Sequence, residues 1–261
     1  MTEQYSFCVV CDNDERIEQA RDFAERHHYP LLNKRSDNHV LQLRFTAERL
    51  ALYDSELDTS IDVDFMQGAL AHREKFGGGK GQAIARAVGL NKPANKGRQL
   101  TVIDATAGLA RDAFVLATLG CQLTLVEQSP VLVALLQDGI ERALLSGGKH
   151  HAIHNFTNLV HAGSALYMEH LDADSHPDVI YIDPMYPQRR KSALVKKDMQ
   201  ILHKLIGAAQ DEQHLLQTAL QHARQRVVVK RPLHADPVAG IQPTTQISSK
   251  KTRYDVYVIN P

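Results

Sequence analysis

Leu100–Asp112 reads Leu-Thr-Val-Ile-Asp-Ala-Thr-Ala-Gly-Leu-Ala-Arg-Asp, and it constrains the fold more than any other stretch. Its apolar opening, rich in β-branched side chains, reads as a strand buried on both faces. The strand stops at Asp104, small residues follow to Gly108, and a helical pattern runs from about Ala110 to Leu119. Strand, small-residue turn, then helix is the first βα unit of a doubly wound sheet. Gly108 and its small neighbours let a ligand approach the backbone closely. The turn lacks the G-x-G-x-x-G of dinucleotide binders, so no pyrophosphate cradle is expected. Glu127 ends the next strand, Gln122–Glu127, 23 residues beyond Asp104. An acid in that place accepts hydrogen bonds from ribose hydroxyls in nucleotide-binding sheets. Either acid alone is an ordinary strand terminus; the pair favours a bound cofactor.

Two further strands complete the cleft. Leu159–Ser164 reads as the third strand and its turn, which puts Gly163 and Ser164 near the adenine end of such a cofactor. The fourth, Val179–Ile182, runs into Asp183-Pro184-Met185-Tyr186-Pro187, and Pro184 biases Asp183 away from helix. In a sheet of order 3-2-1-4-5 the first and fourth strands are neighbours. Asp104 and Gly108 then face Asp183 and Tyr186 across the switch point, where open α/β sheets hold ligands. Asp104-Ala-Thr-Ala-Gly108 is similar to an S-adenosylmethionine pocket. Asp-Pro-X-Tyr resembles the signature of methyltransferases that act on planar exocyclic amines. Such an amine is a poor nucleophile because its lone pair is delocalised into the ring. An oxygen that accepts its N–H bonds helps restore the lone pair, while an aromatic face holds the base flat. The expected catalytic group is therefore Asp183, the Pro184 carbonyl and Tyr186, with direct in-line transfer and no metal.

The 261 residues divide by pattern into three segments. Residues 1–66 read as a small α/β domain. It has a strand at Phe7–Cys11, a helix from about Asp14 to His28, and alternating, half-buried strands at Val40–Phe45, Arg49–Tyr53 and Ile61–Phe65. Residues 67–98 form a helical connecting segment broken at Gly77–Gly79. Its glycines do not make a phosphate loop: Glu74 stands where Gly is required, and Gly81 where Ser or Thr would hold magnesium. The turn carries Arg73, Lys75, Lys80 and Arg86, and either touches a substrate backbone or hinges two helices. Residues 99–261 hold the doubly wound sheet, with a helix near Asp211–Arg224, a strand Arg226–Lys230 and a final antiparallel pair at the edge.

The formal net charge is zero, so nucleic acid must be met by local patches. One follows the cleft: between Tyr186 and Leu205 there are six Lys or Arg against one acid, among them Arg189, Arg190, Lys191, Lys196 and Lys197. With Lys230 and Arg231 these form the expected phosphate-contacting rim. Cys8 and Cys11 have zinc or redox spacing but lie in the apolar run Tyr5–Cys11, which reads as a buried strand. The histidines show no ligand spacing, and no metal site is expected. Three cysteines, no export signal and no apolar stretch of membrane-spanning length point to a reducing cytosol.

Several longer runs resemble one family. They are His72–Lys80, Asp104–Ala117, Asp183–Pro187, Lys191-Ser-Ala-Leu-Val-Lys-Lys197 and Val227–Pro232, and they look like the bacterial ribosomal RNA small subunit methyltransferase J family. The resemblance spans nearly the whole chain, and the triple-glycine and Lys-Ser-Ala-Leu-Val-Lys-Lys runs are not general methyltransferase features. It implies a class I Rossmann-like, S-adenosylmethionine-dependent sheet with a small N-terminal α/β domain. It also implies a cytoplasmic enzyme that methylates N2 of one guanine in small-subunit rRNA, with rRNA or the small subunit as partner and no obligatory protein partner. The cofactor residues it implies are Arg111 and Asp112, Glu127 and Gln128, Gly163 and Ser164, and Asp183. Gln128 and Gly163 depart from the family, where a basic residue and Ser are usual, so backbone contacts are expected there. Adenine N6 and protein glutamine are rival substrates. A non-catalytic RNA-binding assembly factor is the rival of another class, which an intact Asp183–Tyr186 disfavours.

Overall fold

The computed structural model describes residues 5–66, 79–146, 151–184, 196–206 and 211–259. In chain order the elements begin with β1 (Phe7–Cys11), α1 (Ile17–Arg26), β2 (Leu31–Leu32), β3 (Leu41–Phe45), β4 (Leu50–Asp54) and β5 (Thr59–Ile61). Next come α2 (Ala83–Val88), β6 (Thr101–Asp104), α3 (Arg111–Thr118), β7 (Gln122–Glu127), α4 (Pro130–Leu145), β8 (Phe156–His161) and α5 (Ser164–Glu169). The chain closes with β9 (Val179–Ile182), α6 (Lys197–Ile206), α7 (Glu212–His222), β10 (Arg226–Pro232), β11 (Thr245–Ser248) and β12 (Thr252–Val258). These residues fall into two compact units. One holds 5–63, 129–142 and 196–206, and the other holds the rest.

The first unit is a five-stranded sheet of order β2-β1-β3-β4-β5, with β1 parallel to β2 and β3 and the remainder antiparallel. Cys8 and Cys11 are buried in β1, and burial pushes the Cys8 thiol up to about 11, which leaves it unreactive. The alternation in β3 and β4 predicts one open face, but the structure buries both. Gln42 is covered because its amide donates to the carbonyls of Ser36 and His39. Asp54 is fully buried because it caps Glu56 and Leu57 and pairs with Lys204 of α6 at 2.8 Å. The hydrogen-bonded ladder of β5 ends at Ile61, short of the predicted Phe65, yet alternate burial continues through Val63 and Phe65.

Asp138 of α4 is the polar centre of this unit. It accepts from the Leu50 backbone N–H at 3.0 Å, from Arg16 at 2.9 Å and from Arg142 at 2.8 Å. Next to it in the helix, Gly139 lies flat against Val63. A Cβ there would stand 2.6 Å from Val63 Cγ1 and 2.8 Å from its carbonyl oxygen. Helix propensity alone favours Ala over Gly by about 1 kcal/mol, whereas overpacking costs about 1–3 kcal/mol. Gly139→Ala is therefore expected to lower the melting temperature. A rise would show that Val63 can move aside.

The second unit holds a seven-stranded sheet of order β11-β12-β10-β9-β6-β7-β8. Strands β10, β9, β6, β7 and β8 run parallel, and β11 and β12 close the edge antiparallel. This is the class I methyltransferase sheet, with β6 and β9 adjacent as the sequence predicts. Ile180, Ile182, Val227 and Val229 pack on one face against Leu215, Leu216 and Ala219 of α7 and Met168 of α5. Each Val, Leu, Ile or Met side chain among them contributes about 1.5–3 kcal/mol on burial. The third strand starts at Phe156, earlier than its predicted Leu159, because it is an edge strand whose Thr157 and Asn158 are exposed and weaken the apolar pattern. Asp178 fixes the amino ends of the central strands. It accepts from the Thr101 N–H, from Arg98 and from the Gln225 amide.

Candidate active site

The site is built at the carboxyl ends of β6, β7, β9 and β10, within the second unit. β6 ends on Asp104, 2 % exposed, whose carboxylate accepts the Thr106 N–H at 3.1 Å. The turn that follows has two left-handed residues, Gly108 (φ +55°) and Ala110 (φ +52°). Glycine adopts that conformation freely; for Ala110 it costs roughly 1–2 kcal/mol, so the neighbours must hold the turn in place. They do so from three sides. Glu127 Oε2 accepts the Gly108 N–H at 2.9 Å, the Val126 carbonyl accepts the Ala107 N–H, and the buried Ser164 hydroxyl donates to the Ala105 carbonyl.

Across the switch point, the Asp183 N–H donates to Thr106 Oγ1 at 2.6 Å. The pairing of β9 with β6 sets Tyr181 against Asp104, and that of β9 with β10 sets Ile182 against Val229. Lys230 therefore stands level with Asp183. Its Nζ lies 2.8 Å from Asp183 Oδ2 and 2.7 Å from Asp112 Oδ2, and Asp112 Oδ2 also accepts the Tyr181 hydroxyl at 2.7 Å. Tyr181, on the same strand face as Asp183, is fully buried.

Burial and crowding of like charge decide the protonation of this group. Burial pushes the Asp104 carboxyl up to about 8, against the Thr106 hydrogen bond and with repulsion from Asp112, Asp183 and Glu127. Burial also raises Asp183, which the Lys230 ammonium offsets only in part, leaving it at about 6. For Lys230 burial alone would lower the pKa; Asp183 and Asp112 outweigh it and hold the ammonium above its usual range. Burial first, then Asp112 and Asp183, raise Tyr181 well above an ordinary tyrosine, so its hydroxyl stays a donor.

The structure brings Asp104, Gly108, Asp112, Glu127, Ser164 and Asp183 into one connected group, with Pro184 buried directly after Asp183. Arg111, Gln128 and Gly163 lie at the same strand ends, and all three are exposed. A Cβ on Gly163 would meet nothing within 4 Å, so Gly in place of the family's Ser follows from no packing need. Tyr186, Arg189, Arg190 and Lys191 lie outside the described residues. Lys196 and Lys197 are exposed in the first unit, where Lys197 Nζ donates to the Leu57 carbonyl.

Two residues of the expected rim are engaged within the protein. The Lys230 ammonium pairs with two carboxylates of the cleft. Arg231 is 8 % exposed and is turned inward to Glu212 and the Asp236 carbonyl. Sequence reasoning also missed Thr106 and Tyr181. A cation ending a buried strand beside the one that ends in Asp183 was the available signal for Lys230.

Comparison with known proteins agrees with this geometry. The family of putative SAM-dependent methyltransferases matches residues 25–259 of the chain. A ribosomal RNA small subunit methyltransferase J of Shewanella amazonensis is 50 % identical over 225 residues, covering 85 % of this chain and 88 % of that protein. Its counterpart in Colwellia psychrerythraea is 51 % identical over 222 residues, covering 84 % and 78 %. The chain belongs to the ribosomal RNA small subunit methyltransferase J family. A crystal structure of a SAM-dependent methyltransferase from Neisseria gonorrhoeae has the same fold, with a TM-score of 0.73, 37 % identity, and coverage of 96 % and 95 %.

The residues fit the cofactor of this family. S-adenosylmethionine is cationic at its sulfonium and amino groups, and among the described residues the acids Asp104, Asp112, Glu127 and Asp183 outnumber the Lys230 ammonium, an excess that a cation relieves. Burial raises Asp104 first, and repulsion from Asp112, Asp183 and Glu127 adds to it. Among the described residues no cluster of His, Cys, Asp or Glu could hold a metal ion, and no helix is long and apolar enough to cross a membrane.

Proposed function

We propose that this chain transfers a methyl group from S-adenosylmethionine to the exocyclic N2 amine of one guanine in small-subunit ribosomal RNA, in the cytoplasm. The observation that carries the reading is the anchoring of Asp183 at the switch point, by Thr106 at its backbone and Lys230 at its carboxylate. The names of the relatives supply the RNA. When bound, the cofactor supplies an electrophilic methyl group on sulfur. Glu127 accepts from its ribose hydroxyls, while Asp104, Gly108, Asp112, Gly163 and Ser164 line its site, with Arg111 and Gln128 at the margin. Asp183 and the Pro184 carbonyl accept the N–H bonds of the amine, and Tyr186 stacks on the base. Guanine N2 lies on the pairing edge, so the nucleotide must be unpaired or drawn out of its helix. The experiment is mass spectrometry of rRNA from cells with and without this protein. Loss of one N2-methylguanosine from the small subunit supports the reading; an unchanged N2-methylguanosine content opposes it.

Arg189, Arg190, Lys191, Lys196 and Lys197 are the proposed phosphate contacts. Replacing all five with Gln is expected to weaken RNA binding and to flatten its salt dependence, by about one unit of log–log slope for each phosphate no longer neutralised. Cofactor affinity is expected to stay put. A salt slope equal to that of the unaltered protein would return these side chains to a solvated surface.

A further inference from the structure

Lys230 is the part of the cleft for which the reaction as proposed has no role. It is a lysine at the end of a buried strand, yet its ammonium pairs with two carboxylates of the site, at 2.7 and 2.8 Å. Its position follows from register rather than from a flexible reach, since β10 pairs in parallel with β9 up to Val229 opposite Ile182. Asp112 is in turn held by the hydroxyl of Tyr181, a residue of the strand that ends in Asp183. The chain Tyr181–Asp112–Lys230–Asp183 thus closes a loop from β9 through α3 and β10 back to β9.

We propose that Lys230 is a positioning residue for methyl transfer: it fixes the Asp183 carboxylate through Oδ2 and leaves Oδ1 to accept from the substrate amine. This rests on the proposed role of Asp183 as that acceptor. A carboxylate at a strand end can swing about its side-chain torsions, and misplacement of a reacting group by about 1 Å can cost 10²-fold in rate. The ammonium hydrogen bond to Asp183 Oδ2 limits that freedom, and the second, to Asp112, anchors the ammonium that makes it. The ammonium also keeps Asp183 ionised, and only the ionised form presents two acceptor oxygens. The charged or titratable groups that act on Asp183 are Lys230 from β10, Asp112 from α3, Asp104 from β6 and Tyr181 from its own strand. Asp112 repels a carboxylate at 183. Lys230 counters it.

The test is the pH dependence of kcat in three variants, read on whichever methylated product the unaltered protein makes. Asp183 offers both oxygens as acceptors only when ionised, so activity is expected to fall as pH drops through its pKa, near 6 in the unaltered protein. Lys230→Met leaves Asp183 facing Asp112 without the ammonium, so the acid limb is expected to move up by about 1–3 pH units. kcat on the plateau should drop by roughly 10–100-fold. Lys230→Arg keeps the charge, so the limb should return toward that of the unaltered protein. In an Asp183→Asn background no carboxylate remains to be held, and adding Lys230→Met should change kcat by less than about 3-fold. Melting temperature and cofactor affinity, measured on each protein, identify misfolding. An acid limb that stays in place in folded Lys230→Met, or an undiminished loss in the Asp183→Asn background, overturns the proposal. A product other than N2-methylguanosine from the unaltered protein would overturn the substrate reading alone.

Discussion

Asp183→Ala is expected to reduce methyl transfer by about 10²–10³-fold or more, the range seen when one preorganised group is removed from a reacting centre. The alanine protein should still fold, because Asp183 lies past the end of β9 rather than within it. The loss comes from the acceptor. Without it the amine keeps its lone pair in the ring, and the Lys230 ammonium is left beside Asp112 with nothing to hold in place. Asp183→Asn should fall between the two, since its amide oxygen still accepts while its ion pair with Lys230 is gone. Cofactor affinity must be measured with turnover, because the same carboxylate is also a proposed cofactor contact. Turnover in Asp183→Ala within a few fold of the unaltered protein would remove Asp183 from the chemistry.

Glu127→Ala should have its large effect on cofactor binding instead. Glu127 is 7 % exposed and already holds the Gly108 N–H at 2.9 Å, so the substitution removes the proposed ribose acceptor and also loosens the left-handed turn. Hydrogen bonds to a charged group contribute about 1.5–3 kcal/mol, which corresponds to roughly 10–150-fold in Kd. Glu127→Gln keeps an acceptor oxygen and should lose less. Titration calorimetry reads both directly. Unchanged affinity in a folded Glu127→Ala protein would place the ribose elsewhere.

What the sequence made legible was local, or followed from a rule of sheet topology. Leu100–Asp112 announces strand, turn and helix within a few residues of one another, and the switch-point rule then brings Asp183 to Asp104. What it hid depends on pairing between distant segments. Lys230 reads as one more cation near a basic band until the β9–β10 register sets it level with Asp183. Arg231, one residue on, points the other way, to Glu212. Gln42 and Asp54 sit in polar-looking positions that the Ser36–His39 loop and Lys204 bury, and Lys204 is 150 residues from Asp54. Ala110 gives no sign of its left-handed backbone, because the cause lies in the bonds that clamp the turn from β7 and α5.

The most direct measurement is methyl transfer by the purified protein. Small subunits from cells that lack it are incubated with tritiated S-adenosylmethionine, digested to nucleosides and separated, with Asp183→Ala run in parallel. The predicted result is label in N2-methylguanosine from the unaltered protein and nearly none from Asp183→Ala. Label in N6-methyladenosine or in protein, with none in N2-methylguanosine, would contradict it.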